Sequence, residues 1–199
     1  ESIWNFANGR DASLVEGTVQ ENKGYGNSTT IAFDVTDEVT AKMVLLSLCE
    51  TVASRLRKDD TKAEVVSVSI RDYELKTVSH QRVMAAPTNL TDELYQTVCV
   101  LFDELWDGKP LRLIGVSTSR VTYEEYRQYN LFDQEKYDKL EKCDKAIDSI
   151  RARFGEDSIM RASFLNSRIS HTGGGLNKEK RAEAVSDPGR ERKGKGEKN

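Results

Sequence analysis

The residues best equipped for chemistry in this 199-residue chain are few, and their spacing argues against a catalytic centre. His80 and His171 are the only histidines, and neither has a Cys-x-x-Cys or His-x-x-x-His companion, so no zinc site is expected. Cys49, Cys99 and Cys143 are widely spaced and odd in number, and each falls in a helically periodic segment. They read as reduced packing residues, not as a disulfide or a metal set. Acidic pairs are plentiful: Asp59-Asp60, Asp92-Glu93, Asp103-Glu104 and Glu124-Glu125. They fall at helix ends, on helical surfaces or in a linker, where solvated charge is the ordinary explanation. What remains is a set of small hydroxyls and cations alternating along strand-like segments: Ser67, Ser69 and Arg71, then Ser117 and Ser119. Such side chains approach a phosphate backbone closely and donate hydrogen bonds without reading bases. An ordinary solvated sheet face carries the same pattern, and periodicity alone leaves both readings open.

The elements that must position these residues are legible as alternating periods. Residues 28–34 predict a strand with Thr29, Ile31 and Phe33 on one face. Thr36 or Asp37 then caps a helix whose stripe is Val39, Met43, Leu46, Cys49, Ala53 and Leu56, ending at Lys58-Asp59-Asp60. Val66, Val68 and Ile70 alternate with Ser67, Ser69 and Arg71, and a partner strand covers 77–84. Pro87-Thr88-Asn89 breaks the sheet, and Asn89 or Thr91 caps a helix carrying Leu94, Val98, Leu101 and Leu105. Asp107-Gly108-Lys109-Pro110 stops that helix, and 111–119 is the last strand. The order β-α-β-β-α-β predicts an α+β fold: a four-stranded sheet with two helices on one face and the other face open. A further helix over about 134–153 has an apolar side of Tyr137, Leu140, Cys143 or Asp144, Ile147, Ile150 and Phe154, which must pack on this domain or on a partner.

Composition bounds the rest. The chain is 37% hydrophobic and 32% charged, with a formal net charge of -3, so nothing global announces a nucleic-acid binder. Residues 23–120 hold 12 Lys and Arg against 14 Asp and Glu, so phosphate binding there depends on local placement and should be weak and salt-sensitive. Residues 165–199 hold nine Lys and Arg against five Asp and Glu, with Gly173-Gly174-Gly175, and read as a flexible basic tail. The longest apolar run, around Met43 to Cys49, is too short to cross a membrane, and no signal-peptide pattern is present. Glu1 leads straight into the apolar Ile3-Trp4-Asn5-Phe6, which suggests a chain that begins inside a larger protein.

Several local motifs occur together in one order. They are Trp4-Asn5-Phe6-Ala7-Asn8-Gly9-Arg10-Asp11, Lys23-Gly24-Tyr25-Gly26-Asn27-Ser28, Leu111-Arg112-Leu113-Ile114-Gly115-Val116-Ser117, and Asp144-Lys145-Ala146-Ile147-Asp148 with Arg153-Phe154-Gly155-Glu156-Asp157 and Arg161-Ala162-Ser163. Over roughly 3–163 the chain resembles the C-terminal region of UmuC/DinB-type Y-family translesion DNA polymerases. The resemblance implies the end of a thumb over 1–22, a little finger over 23–120, a linker and C-terminal helix over 121–164 and a tail over 165–199. It implies a little finger lying along duplex DNA. Ser28, Arg71, Ser79, His80, Gln81, Arg82, Arg112 and Ser117 are then expected near phosphates, with Ser67 and Ser69 on the same open face. Gly24 stands where the family usually has serine. The magnesium-binding carboxylates of the family's palm are not matched, so no cofactor is expected in this chain, and it should not polymerise alone. A bacterial cytoplasmic enzyme is implied.

The segment Gln128-Tyr129-Asn130-Leu131-Phe132 resembles the sliding-clamp-binding peptide of bacterial polymerases and repair proteins. In that reading Leu131 and Phe132 anchor in a hydrophobic groove, at roughly 1.5–3 kcal/mol each, while Gln128 satisfies polar groups at its mouth. The expected partners are primer–template DNA and the clamp. A clamp-binding adaptor with little DNA affinity is the alternative, favoured by the acidic balance of 23–120.

Overall fold

The computed structural model describes residues 2–11, 22–123 and 134–175. In chain order the elements are α1 (Ser2–Ala7), β1 (Gly26–Val35), α2 (Glu38–Lys58), β2 (Lys62–Asp72), β3 (Thr77–Thr88), α3 (Thr91–Leu105), β4 (Leu111–Thr122) and α4 (Gln134–Phe154). Two single 3₁₀ turns follow, at Glu156–Ser158 and Ala162–Phe164. The strands form one antiparallel sheet in the order β1-β4-β2-β3. Helices α2 and α3 pack on one face, so the architecture is the β-α-β-β-α-β plan that the periodicity predicts.

The core lies between that face and the two helices. Ile31, Val66, Val68, Ile70, Ile114 and Val116 meet Leu45, Leu48, Val52 and Leu56 of α2 and Leu94, Val98, Leu101 and Phe102 of α3. Asp37 caps α2 as expected, its Oδ1 accepting the Thr40 N–H at 2.8 Å, and the helix ends at Lys58. Val39 is 72% exposed: the buried face of α2 runs through Ala41, Val44, Leu45, Leu48 and Val52, and Val39 lies on the opposite side of the helix, so it leaves the expected stripe.

Three further expectations are corrected. Strand β3 does not break before Pro87 but continues to Thr88, which pairs with Ala63. Proline is accommodated because β3 is an edge strand, where a missing N–H need not interrupt a ladder. Helix α3 has neither Asn89 nor Thr91 as its cap. Its N-cap is Leu90, whose side chain offers no acceptor, and the Thr91 N–H is instead received at 2.9 Å by Asp144 of α4. Lastly, the expected flexible tail does not begin at 165. Phe164 and Ile169 enter the core, the Ser47 hydroxyl donates to the Ser170 carbonyl at 2.7 Å, and the Gly173 and Gly174 N–H groups donate to Thr51 and Ser47.

Helix α4 docks differently from its pattern. Its buried residues are Asp144 and Arg151, while Leu140, Ile147 and Ile150 are only half-buried and Phe154 is 66% exposed. Ion pairs reach across instead: Arg57 to Asp144 at 3.0 Å and to Asp148 at 2.5 Å, and Arg151 to Glu50 at 2.7 Å. Arg161, beyond the helix, bridges Glu50 at 2.8 Å and Asp92 at 2.9 Å. The nearly invisible signal for this was the acid and base spacing on α4, which apolar periodicity ignores.

Candidate nucleic-acid interface

The open sheet face is built by strand register. Because β-strand side chains alternate, residues opposed across the ladder share a face. One row runs Ser28, Gly115, Ser69, Ser79 across β1, β4, β2 and β3. The next runs Gly26, Ser117, Ser67, Gln81, and a third runs Thr30, Leu113, Arg71, Thr77. Neighbouring strands are about 4.8 Å apart, so each row spans roughly 14 Å with a small polar side chain at most positions. None of these three rows contains a carboxylate. Six of the domain's acids, Glu38, Glu50, Asp92, Glu93, Asp103 and Glu104, lie on α2 and α3, and the strand acids Asp34, Glu64 and Asp72 fall outside these three rows. A domain with net negative charge thereby presents an uncharged to cationic sheet face.

Gly115 sits at the centre of that face. A Cβ on it would lie 2.6 Å from Ser69 Oγ and 3.0 Å from Ser28 Cβ, so glycine keeps open a shallow hollow of about 390 Å³. Gly26, Ser28, Ser69, Gly115 and Ser117 line it. The floor is backbone and hydroxyl, which lets a phosphate-bearing ligand come close without displacing a bulky side chain. Arg71 is the cation beside it; its Nε donates to Thr77 Oγ1 at 2.8 Å, which holds the guanidinium against the end of β3. Ser67 is partly committed, donating to the His80 carbonyl at 3.2 Å.

Of the residues expected near phosphates, Ser28, Ser67, Ser69, Arg71, Ser79, Gln81 and Ser117 share this face. His80 and Arg82 do not. Val68, which points into the core, is the register partner of His80, so His80 and Arg82 project to the helix side of the edge strand. There Glu104 of α3 holds both, at 3.2 Å from His80 Nδ1 and 2.6 Å from Arg82. Arg112 lies at the bulged end of β4, paired with Asp34 at 3.2 Å and half-exposed. Ser119 follows on β4, opposite Val65. Gly24 is pressed against β4: a Cβ at this position would lie only 2.1 Å from the Thr118 carbonyl oxygen, so this backbone path leaves no space for a serine there.

Pattern reading missed Thr30, Thr77, Gly26 and Gly115. Each lies two residues from an expected one, Thr77 from Ser79, Gly26 and Thr30 from Ser28, and Gly115 from Ser117, so strand alternation could have found them. The clamp-peptide residues Gln128, Leu131 and Phe132 lie outside the described residues. Among the described residues no group of three His, Cys, Asp or Glu is placed to hold a metal ion, and no helix is long and apolar enough to cross a membrane. Cys49 is buried and burial pushes its thiol well up; Cys99 is half-buried and raised for the same reason; Cys143 is exposed.

Known proteins share the sequence. A model of the impB/mucB/samB family C-terminal domain matches residues 22–131. DNA polymerase IV of Acetivibrio thermocellus is 36% identical over 172 residues, covering 84% of this chain and 43% of the relative. DNA polymerase IV of Clostridium acetobutylicum is 32% identical over 163 residues, covering 82% of this chain and 41% of the relative. The chain thus spans about two fifths of the length of these curated relatives. Among solved structures, a complex of the beta-clamp processivity factor with the little finger domain of PolIV aligns over 54% of this chain and 97% of that one, at 21% identity and a TM-score of 0.44. A ternary complex of Dbh DNA polymerase aligns over 62% and 35%, at 16% identity and a TM-score of 0.46.

Proposed function

The chain belongs to the impB/mucB/samB family C-terminal domain, the little-finger region of Y-family DNA polymerases, and on that premise we propose that it holds primer–template DNA for an error-prone lesion-bypass polymerase and brings that polymerase to the sliding clamp. The observation that carries the DNA reading is the carboxylate-free set of rows around Gly115, to which every strand contributes at least one hydroxyl, with Arg71 at its margin. Contacts from such a face go to phosphates and sugars, which carry no sequence information. That suits an enzyme obliged to accept damaged templates. With few cations the grip is weak, and tethering to a catalytic core would compensate through effective concentration. The polymerase chemistry and its magnesium ions are assigned to the part of the longer relatives that this chain does not match.

Clamp recruitment rests on Gln128, Leu131 and Phe132. Two buried apolar anchors and one polar contact fit an exchangeable complex, not a permanent one. The second reading is a clamp-binding adaptor with little DNA affinity, favoured by the net acidity of 23–120. Fluorescence anisotropy with labelled primer–template DNA distinguishes them. Binding that weakens steeply with salt supports the DNA-holding role; absence of binding at low salt leaves the adaptor.

A further inference from the structure

We propose that α4 is a latch, one that opens as a unit while the sheet domain and the chain beyond α4 stay folded. Its attachment is ionic. Arg57 of α2 is 8% exposed and holds Asp144 and Asp148, one helical turn apart, and Arg151 reaches back to Glu50. The apolar side of the helix is poorly used: Leu140, Cys143 and Ile147 border a cleft of about 270 Å³ shared with Ile159 and Met160. By contrast, the chain after α4 is pinned by Phe164 and Ile169, each 2% exposed in the core, and by the bonds of Ser170, Gly173 and Gly174 to α2.

Buried ion pairs gain little over the hydrated charges that they replace, because desolvation offsets most of the attraction. Docking of α4 is therefore closely balanced where apolar docking would not be. The partners on the domain side are also arranged so that opening leaves few of them stranded. Glu50 divides its carboxylate, Oε2 to Arg151 and Oε1 to Arg161, and Arg161 belongs to the pinned part and also holds Asp92. Arg57 likewise donates to the Asn89 carbonyl and the Thr91 hydroxyl in addition to α4. When α4 leaves, Glu50 keeps Arg161 and Arg57 keeps its two neutral acceptors. The Thr91 N–H loses Asp144 but is at a helix N-terminus, where water replaces it. Opening would free the 21 residues of α4 from the sheet domain. This inference does not depend on DNA or clamp binding.

Hydrogen exchange of the full 199-residue chain, read by mass spectrometry, tests it. The amides of 134–154 should exchange roughly tenfold or more faster than those of β2 and β4, with 164–171 following the sheet. Substituting Asp144→Asn together with Asp148→Asn leaves Arg57 charged and without a carboxylate. Exchange in α4 should then rise by about tenfold or more again, while β2 changes by less than about twofold. Equal exchange of α4 and β2 in the unaltered chain would overturn the proposal, as would a double variant that leaves α4 unchanged or accelerates β2 equally. Should the double variant fail to fold, the comparison within the unaltered chain decides alone.

Discussion

Asp144 of α4 receives the backbone N–H of Thr91, the first residue of α3, at 2.9 Å, and so serves as that helix's cap from a distance of 53 positions in sequence. The same oxygen takes Arg57 Nη1 at 3.0 Å. Asparagine accepts from a helix N-terminus about as well as aspartate, whereas alanine cannot. Asp144→Ala should therefore lower the unfolding free energy by about 1 kcal/mol more than Asp144→Asn. Urea denaturation of both variants checks this, and equal losses would remove the capping role.

Gly115 and Ser69 are set so close that a side chain on the former must displace the latter. Gly115→Ala should destabilise the domain by up to about 1 kcal/mol, since the Ser69 hydroxyl must leave its rotamer and Ser28 Cβ lies at 3.0 Å. Ser69→Ala in the same chain removes the atom at 2.6 Å and should recover part of that loss. Thermal melts of the two single variants and the double variant measure the coupling. Additive effects would mean that the two residues do not crowd each other.

Thiol reactivity follows burial. Desolvation raises the Cys49 thiol well above its ordinary range and raises Cys99 as well, so at about pH 8 both carry less thiolate than a free cysteine. Cys143 is exposed. Titration with a disulfide reagent should show one fast thiol and two slow ones, with all three fast in denaturant. Loss of the fast phase in Cys143→Ser would identify it.

Clamp recruitment predicts that Leu131→Ala with Phe132→Ala abolishes retention of the chain on an immobilised bacterial sliding clamp. Each anchor is worth roughly 1.5–3 kcal/mol, so their joint loss exceeds about a hundredfold in affinity by the usual conversion. Unchanged retention would remove the peptide from the account of this chain.

The order of elements was legible because alternation and helical stripes are local signals, as at Val66, Val68, Ile70 and at Leu94, Val98, Leu101. Facing was harder. Ser79 to Arg82 are consecutive, and only the pairing of Gln81 with Ser67 shows that His80 and Arg82 turn toward α3 while Ser79 and Gln81 turn away. The docking of α4 was illegible for a different reason. Apolar periodicity asks which residues avoid water, whereas Asp144 and Arg151 are buried because Arg57, Thr91 and Glu50 await them on distant elements. Packing of Phe164 and Ile169 was hidden by the polar, glycine-rich composition around them.

The DNA-holding role is tested most directly by anisotropy with primer–template DNA across a salt series, comparing Arg71→Ala with Arg82→Ala. Arg71 belongs to the sheet face and Arg82 to the helix side, where Glu104 holds it. If the open face meets the phosphates, Arg71→Ala should weaken binding and reduce the salt slope by about one, while Arg82→Ala changes neither appreciably. Equal loss from both, or loss from Arg82→Ala alone, would contradict a DNA-facing sheet.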